Sequence, residues 1–247
     1  MKWRFKVAAA VAGGGLTLLA AGGASAAPLH RVASANNQEY GGAGYLGGAG
    51  STQNSAAATF TVPKLTCSRG TQAMSVTVQG YDESGTDIAD AFIVLGCSGA
   101  KQVMGAFLGV NTESHRVQSK CKSIGVGDRV SMSAVVTDTR ETASLKVSGK
   151  HACTQTINGA GAPRGSGTGG FIGLVGECPN PCTVFYAPPR FGSIALSGTL
   201  DGAPVGQAAF LQAFDWYNHD YTVVDIATGA LNKAGTGWSE VWKSSAQ

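Results

Sequence analysis

The feature that most constrains the fold of this chain is a strict alternation of apolar and polar residues in short runs. The run 129–137 reads RVSMSAVVT, and 143–147 repeats the pattern as ASLKV. A period of two turns the apolar side chains to one face of a strand, so these runs predict half-buried antiparallel strands with one wet face. No stretch shows the 3.6-residue period of an amphipathic helix.

Short apolar runs separated by turn residues extend this pattern along the chain. Further strands are predicted at 56–62, 74–78, 91–95, 103–110, 171–175, 191–196, 208–213, 221–226 and 238–242. We expect 82–90 to be a polar, acidic loop and 158–170 a Gly-rich loop, while 40–50 suits either a linker or a tightly packed edge strand. About a dozen short strands predict an all-β sandwich of two antiparallel sheets.

The N-terminus predicts export from the cytoplasm. Lys2, Arg4 and Lys6 precede an uncharged run over 7–21, and Ala24-Ser25-Ala26 suits a cleavage site, so residues 1–26 are interpreted as a secretory signal peptide. The alternative is a membrane anchor, but the run is interrupted by glycines and a bilayer needs about 20 apolar residues. We therefore expect a secreted, extracellular protein that is free of the membrane after cleavage. Residues 27–38 would form a flexible arm, and 39–247 a single domain.

Composition argues against nucleic acid as a partner. Hydrophobic residues make up 43% of the chain and charged residues 13%, and the formal net charge is +3. No basic stripe with interleaved aromatics is present, so nucleic acid is not an expected partner. We expect a monomer without a cofactor.

Six cysteines in an exported chain predict three disulfides. Six cysteines allow 15 pairings, so the sequence does not decide among them. Cys178 and Cys182 are predicted to pair because they stand close together. Cys97 could pair with Cys121 across the base of a hairpin, which leaves Cys67 with Cys153. No histidine lies near Cys178 and Cys182, so no metal site is expected.

An acidic cluster offers a different chemistry. Asp82, Glu83, Asp87 and Asp90 could supply the paired carboxylates of a glycosidase. A solvated acidic loop explains the same residues and is the interpretation that we prefer.

Several segments, taken in order, carry a family resemblance. They are Tyr40-Gly41-Gly42, AATFTVP over 57–63, AFIVLG over 91–96, GDRVSMSAV over 127–135, APPRFGSIAL over 187–196, and the final runs 222–226 and 238–242. In this order and spacing the chain resembles the eqolisins, the secreted glutamic peptidases. The resemblance implies a concanavalin-like β-sandwich with an active site on its concave face.

The resemblance also implies a chemistry that this chain does not match. Eqolisins use a Glu as general acid and base and a Gln that stabilises the oxyanion. The matching position for the Gln falls on Gly105 or Ala106, and that for the Glu on Leu174. Gln102 and Glu177 are the nearest residues of the required types.

Two functions remain open. The first is a non-catalytic module that has lost the Glu–Gln dyad and binds a peptide or glycan on the concave face. The second is an active acid endopeptidase that uses a relocated pair, Gln102 and Glu177.

Overall fold

The structure is a computed structural model of the chain. It describes residues 5–7, 37–40, 42–47, 53–68, 70–81, 87–110, 124–137, 139–148, 151–158, 167–177, 184–208, 211–218 and 220–244.

The described residues form seventeen strands and one short 3-10 helix. The strands are β1 Phe5–Val7, β2 Asn37–Tyr40, β3 Gly42–Gly47, β4 Gln53–Thr61, β5 Thr71–Tyr81, β6 Asp87–Ser98, β7 Lys101–Val110, β8 Arg129–Thr137, β9 Arg140–Val147, β10 His151–Asn158, β11 Gly167–Glu177, β12 Val184–Phe185, β13 Ser193–Leu200, β14 Ala203–Pro204, β15 Gln212–Tyr217, β16 Val224–Thr228 and β17 Gly237–Trp242. The 3-10 helix is Val205–Gln207.

Backbone pairing runs through the main strands in the order β10-β9-β8-β4-β13-β17-β16-β15-β3-β11-β5-β6-β7. These pairings are antiparallel, whereas β2 pairs in parallel with β15. The ribbon folds back on itself, so that β5, β6 and β7 pack against β8 and β9. We call β3, β11, β5, β6 and β7 layer 1, and β10, β9, β8, β4, β13 and β17 layer 2. Strands β15 and β16 form the corner that joins the layers.

The core lies between the two layers because each strand turns alternate side chains inward. In β8 the burial pattern alternates without a break from Val130 to Val136, as the sequence predicts. Met74, Ile93 and Leu95 of layer 1 meet Met132 and Leu145 of layer 2 in one buried cluster. The prediction of an all-β antiparallel sandwich is therefore confirmed.

Three loop or linker predictions need correction. Strand β6 begins at Asp87, so the second half of the predicted acidic loop is paired with β5. Strand β11 begins at Gly167, inside the predicted Gly-rich loop. The glycine-rich stretch after Tyr40 forms β3, and it is an interior strand because β11 and β15 pair with it on either side. Small side chains suit this strand since its residues are largely buried.

The disulfide in the described part of the chain joins Cys67 to Cys97, with Cα atoms 5.4 Å apart. The pairings Cys97–Cys121 and Cys67–Cys153 are therefore wrong. Gln72 pairs with Cys97 across the β5–β6 ladder, and Cys67 precedes β5, so the fold places the two sulfurs together. Cys153 lies in β10. Cys121, Cys178 and Cys182 lie outside the described residues, so the pairing of Cys178 with Cys182 stays a prediction.

The N-terminal predictions also stay predictions. Strand β1 pairs with the end of β11 although it lies inside the segment interpreted as a signal peptide. Strand β2 begins at Asn37, within the predicted arm, whose residues 27–36 are not described. No helix among the described residues is long and apolar enough to cross a bilayer.

Candidate functional site

Layer 1 contains the strands on which the resemblance places the catalytic residues, β7 and β11. One side of this layer faces the core between the layers. We call the opposite side of β11, β5, β6 and β7 the outer face. The ladder registers place Ser75, Val94 and Gly105 in one row of that face, together with Gly173 of β11. This row carries no carboxylate and no amide side chain.

The next row of the outer face is aromatic. Phe92 and Phe107 are paired across β6 and β7, and their rings stack with centroids 5.1 Å apart. Together with Ala73 and Val94 they form a small buried cluster, against which Tyr186 packs. The outer face is thus filled by apolar side chains at the row beside Gly105.

Polar side chains are buried at the other end of the same face. Gln79 and Asp90 are cross-strand neighbours, and they are 1% and 2% exposed. Thr77 is fully buried, and its hydroxyl has no hydrogen-bond partner among the described residues. Gly109 lies directly beside Asp90, since a Cβ built at position 109 would stand 2.1 Å from Asp90 Oδ1. The missing side chain of Gly109 therefore makes room for this carboxyl group.

Gln102 has a structural role in this arrangement. Its Oε1 accepts a hydrogen bond from Leu65 N–H at 3.1 Å, and its Nε2 donates to the carbonyl oxygen of Pro63 at 3.2 Å. The segment between β4 and β5 has no ladder partner at these atoms, so the amide supplies the partners that the backbone needs. Gln102 also shares its row with Cys97, which belongs to the core. It therefore lies on the core side of layer 1.

The two positions on β11 fall on opposite faces. Leu174 pairs with Met74, a fully buried core residue, so its register position is on the core side. The pairings of β11 with β1 and β12 continue through Gly176 without a shift, so alternation places Glu177 on the outer face. The register positions of Gln102 and Glu177 therefore fall on opposite sides of layer 1.

The family-matched positions are likewise divided. Gly105 lies on the outer face, whereas Ala106 is 2% exposed and belongs to the core. The β11 residue in the row of Gly105 is Gly173, one residue before Leu174. Of the two positions matched to the Gln, Ala106 therefore shares the core side of layer 1 with Leu174, and Gly105 does not, because neighbouring residues of a strand face opposite sides.

A second feature is an open depression of about 600 Å³ on the side of layer 2 that faces away from the core. Seven of its thirteen lining residues carry a hydroxyl group, although most of the exposed lining is apolar. Two pairs of these hydroxyls are in contact across neighbouring strands: Thr59 Oγ1 with Ser131 Oγ at 3.1 Å, and Ser133 Oγ with Ser144 Oγ at 2.6 Å. Lys146 is the charged residue of the lining. Because hydroxyls both donate and accept, this surface suits a neutral polar ligand.

No group of three or more His, Cys, Asp or Glu side chains in the described part of the chain is arranged to hold a metal ion.

Solved structures share this fold. Scytalidoglutamic peptidase, solved with a peptide-based transition-state analogue, has a TM-score of 0.62 and 19% identity, over 83% of this chain and 99% of that chain. SCP-B, a member of the eqolisin family solved with the tripeptide Ala-Ile-His, has a TM-score of 0.59 and 18% identity over the same shares. No protein-family model and no curated protein sequence matches the chain. The chain thus has the eqolisin fold, at an identity that defines the architecture and not the chemistry.

Sequence reasoning missed the buried polar residues of the outer face. The acidic character of 82–90 predicts a solvated loop, yet Asp90 alternates with Phe92 and Val94 in one strand. That period-two spacing was the available signal that Asp90 belongs to a strand. Its burial depends on Gly109 of the next strand, which no local pattern shows.

Proposed function

We propose that the protein is a non-catalytic module of the eqolisin fold that acts outside the cell by binding a peptide or glycan. The observation that carries this proposal is the outer-face row of Gly173, Ser75, Val94 and Gly105, on the strands where the resemblance expects the dyad. A general base must lie within about 2.6–3.2 Å of its water, and this row offers no ionisable group.

The engagement of Gln102 supports the same proposal. Its amide oxygen and nitrogen both bond to backbone groups between Pro63 and Leu65. To stabilise an oxyanion, Gln102 would have to abandon these bonds and reach the other side of layer 1. Removing one oxyanion donor typically lowers the rate about 10²–10³-fold, so an enzyme lacking this donor and its base would have little activity.

The hydroxyl-lined depression of layer 2 is the surface on which we place ligand binding. Its floor includes short side chains of β4, β8, β9 and β13, which leave room for a ligand above the sheet. The two eqolisin-fold structures above were solved with peptidic ligands, and this supports a peptide as one of the two ligand classes.

One observation favours a second function, an acid endopeptidase. Asp90 and Gln79 place a carboxyl group and an amide next to each other on the outer face, the two chemical types that eqolisins use. Both are nearly fully buried, so substrate would reach them only after the covering residues move.

Digestion of an unfolded protein substrate by the purified chain between about pH 2 and 7 tests these alternatives, because a carboxylate base titrates near pH 4. We expect no cleavage. Cleavage that disappears in Asp90→Asn would establish the second function, and cleavage lost in both Glu177→Gln and Gln102→Ala would establish the relocated pair.

Ligand binding is tested separately by calorimetry with peptide and oligosaccharide panels. Ser133→Trp would fill the depression, and Ala195→Trp, at an exposed position of β13 outside the lining, is the matched control. We expect binding that is lost in the first variant and kept in the second. Binding that persists in Ser133→Trp would show that the ligand does not bind in the depression.

A further inference from the structure

A buried carboxyl group lies where β17 of layer 2 pairs with the corner strand β16, far in sequence from the candidate site. Glu240 of β17 is fully buried. Trp238 Nε1–H donates to its Oε1 at 2.7 Å, and Thr228 Oγ1 lies 2.8 Å from its Oε2. No cation contributes to the electrostatic surroundings of Glu240 among the described residues. An ionised glutamate in such a place would be a buried charge without a counter-ion, which is costly.

The hydrogen bonds around Thr228 show how this cost is avoided. Thr228 Oγ1 also contacts the carbonyl oxygen of Phe214. A hydroxyl has one proton, and a carbonyl oxygen can only accept. If Thr228 donates to Phe214, the proton between Thr228 and Glu240 must come from Glu240. A protonated Glu240 therefore satisfies every atom in the chain from Trp238 to Phe214.

The groups that face Glu240 favour the protonated form. Burial raises the pKa of Glu240 to about 8, with a smaller contribution from the negative charge of Asp215. Hydrogen bonds from Thr228 and Trp238 act in the opposite direction but do not cancel the effect of burial. Asp215 Oδ1 itself accepts Thr228 N–H at 2.7 Å. On β13 the residue paired with Glu240 is the apolar Ile194.

Tyr45 extends the cluster to layer 1. Its ring meets Trp238 edge-on with centroids 5.3 Å apart, and its hydroxyl donates to Gly229 O at 3.0 Å. Burial, followed by the nearby charge of Glu240, raises the pKa of Tyr45, so this phenol stays neutral where Glu240 titrates. The cluster thus joins β3 of layer 1, through the corner strands β15 and β16, to β17 of layer 2.

We propose that Glu240, Trp238, Thr228 and Tyr45 form a pH-sensitive latch, which closes the corner between the layers in acid and loosens it when the Glu240 carboxyl ionises. Loss of the proton removes the donor to Thr228 and places a second negative charge beside Asp215. Thr228 can turn its proton to the carboxylate only by giving up its bond to Phe214 O, and the repulsion from Asp215 remains. We expect water to reach the carboxylate through local loosening of β16 from its neighbours β15 and β17.

The latch is tested by NMR of the whole protein between pH 5 and 9.5. The indole N–H signal of Trp238, assigned with Trp238→Phe, reports ionisation of its acceptor. We expect one titration with a midpoint near 8, accompanied by a fall of at least about tenfold in the hydrogen-exchange protection of β16 and β17 amides relative to those of β8. A midpoint near 4–5, or no titration, would overturn the proposal.

Glu240→Gln is the decisive variant, because its amide donates to Thr228 and accepts from Trp238 without ionising. We expect the indole titration and the local opening to disappear. Glu141→Gln, at another buried glutamate in β9, is the matched control and should titrate like the wild type. If Glu240→Gln does not fold, the carboxyl ¹³C titration of wild-type Glu240 gives the same answer. Opening that persists in a folded Glu240→Gln would refute the latch.

Discussion

Replacing Gln102 by alanine tests whether this residue has a structural role, as its hydrogen bonds indicate, and not a catalytic one. The substitution removes two hydrogen bonds, from Leu65 N–H at 3.1 Å and to Pro63 O at 3.2 Å. Each bond contributes about 0.5–1.5 kcal/mol, so we expect a loss of about 1–3 kcal/mol in the free energy of unfolding. For a domain of this size, a loss of about 2 kcal/mol lowers the melting temperature by about 4–8 °C.

Urea unfolding followed by circular dichroism measures this loss. We expect the midpoint to fall while the slope m stays unchanged, since the surface exposed on unfolding is the same. Lys101→Ala, exposed in the same strand, is the control and should change stability by less than about 0.5 kcal/mol. If Gln102→Ala is as stable as the wild type, the two bonds contribute nothing to stability, and the structural role assigned to this amide is rejected.

Three further predictions concern stability. Removing the Cys67–Cys97 disulfide, which closes a 30-residue separation, should cost about 3–4 kcal/mol in urea unfolding of the double alanine variant; a loss below about 1 kcal/mol would contradict the pairing. Gly109→Ala should destabilise by about 1–3 kcal/mol because its Cβ would stand 2.1 Å from Asp90 Oδ1, whereas Gly192→Ala, with nothing within 4 Å, should be neutral in the same thermal melts. The folded state holds the Glu240 proton more tightly than the unfolded chain does, because the pKa of Glu240 is raised in the fold. The free energy of unfolding should therefore fall by at most about 5 kcal/mol as the pH rises from 4.5 towards about 8. Thermal melts that show no change over this range, or the same change in Glu240→Gln, would contradict this prediction.

The burial of Asp90 and Gln79 shows how an eqolisin fold can keep polar groups on its outer face without exposing them. The core between the layers and the backbone ladders of layer 1 give the chain its architecture, and the outer face adds its own packed side chains to it. The fold by itself does not imply the activity of the proteins that share it.

The alternation of apolar residues in the sequence determined the class of fold. Strand β8 runs over the predicted residues, because a period of two is a local property of an antiparallel strand with one wet face. The resemblance to eqolisins likewise follows from the order of the matching segments in the linear sequence, and the shared fold confirms it.

What only the tertiary structure decided is which residues share a face or a partner. Counting residues matches Gly105 to the Gln of the dyad and Leu174 to the Glu, but the ladder register puts these two positions on opposite sides of layer 1. Cys67 meets Cys97 because the β5–β6 hairpin returns the chain to the start of β5, and the pKa of Glu240 is raised because strands distant in sequence bury it. Register, disulfide partners and pKa values arise from contacts between distant segments, and a local pattern carries no information about them.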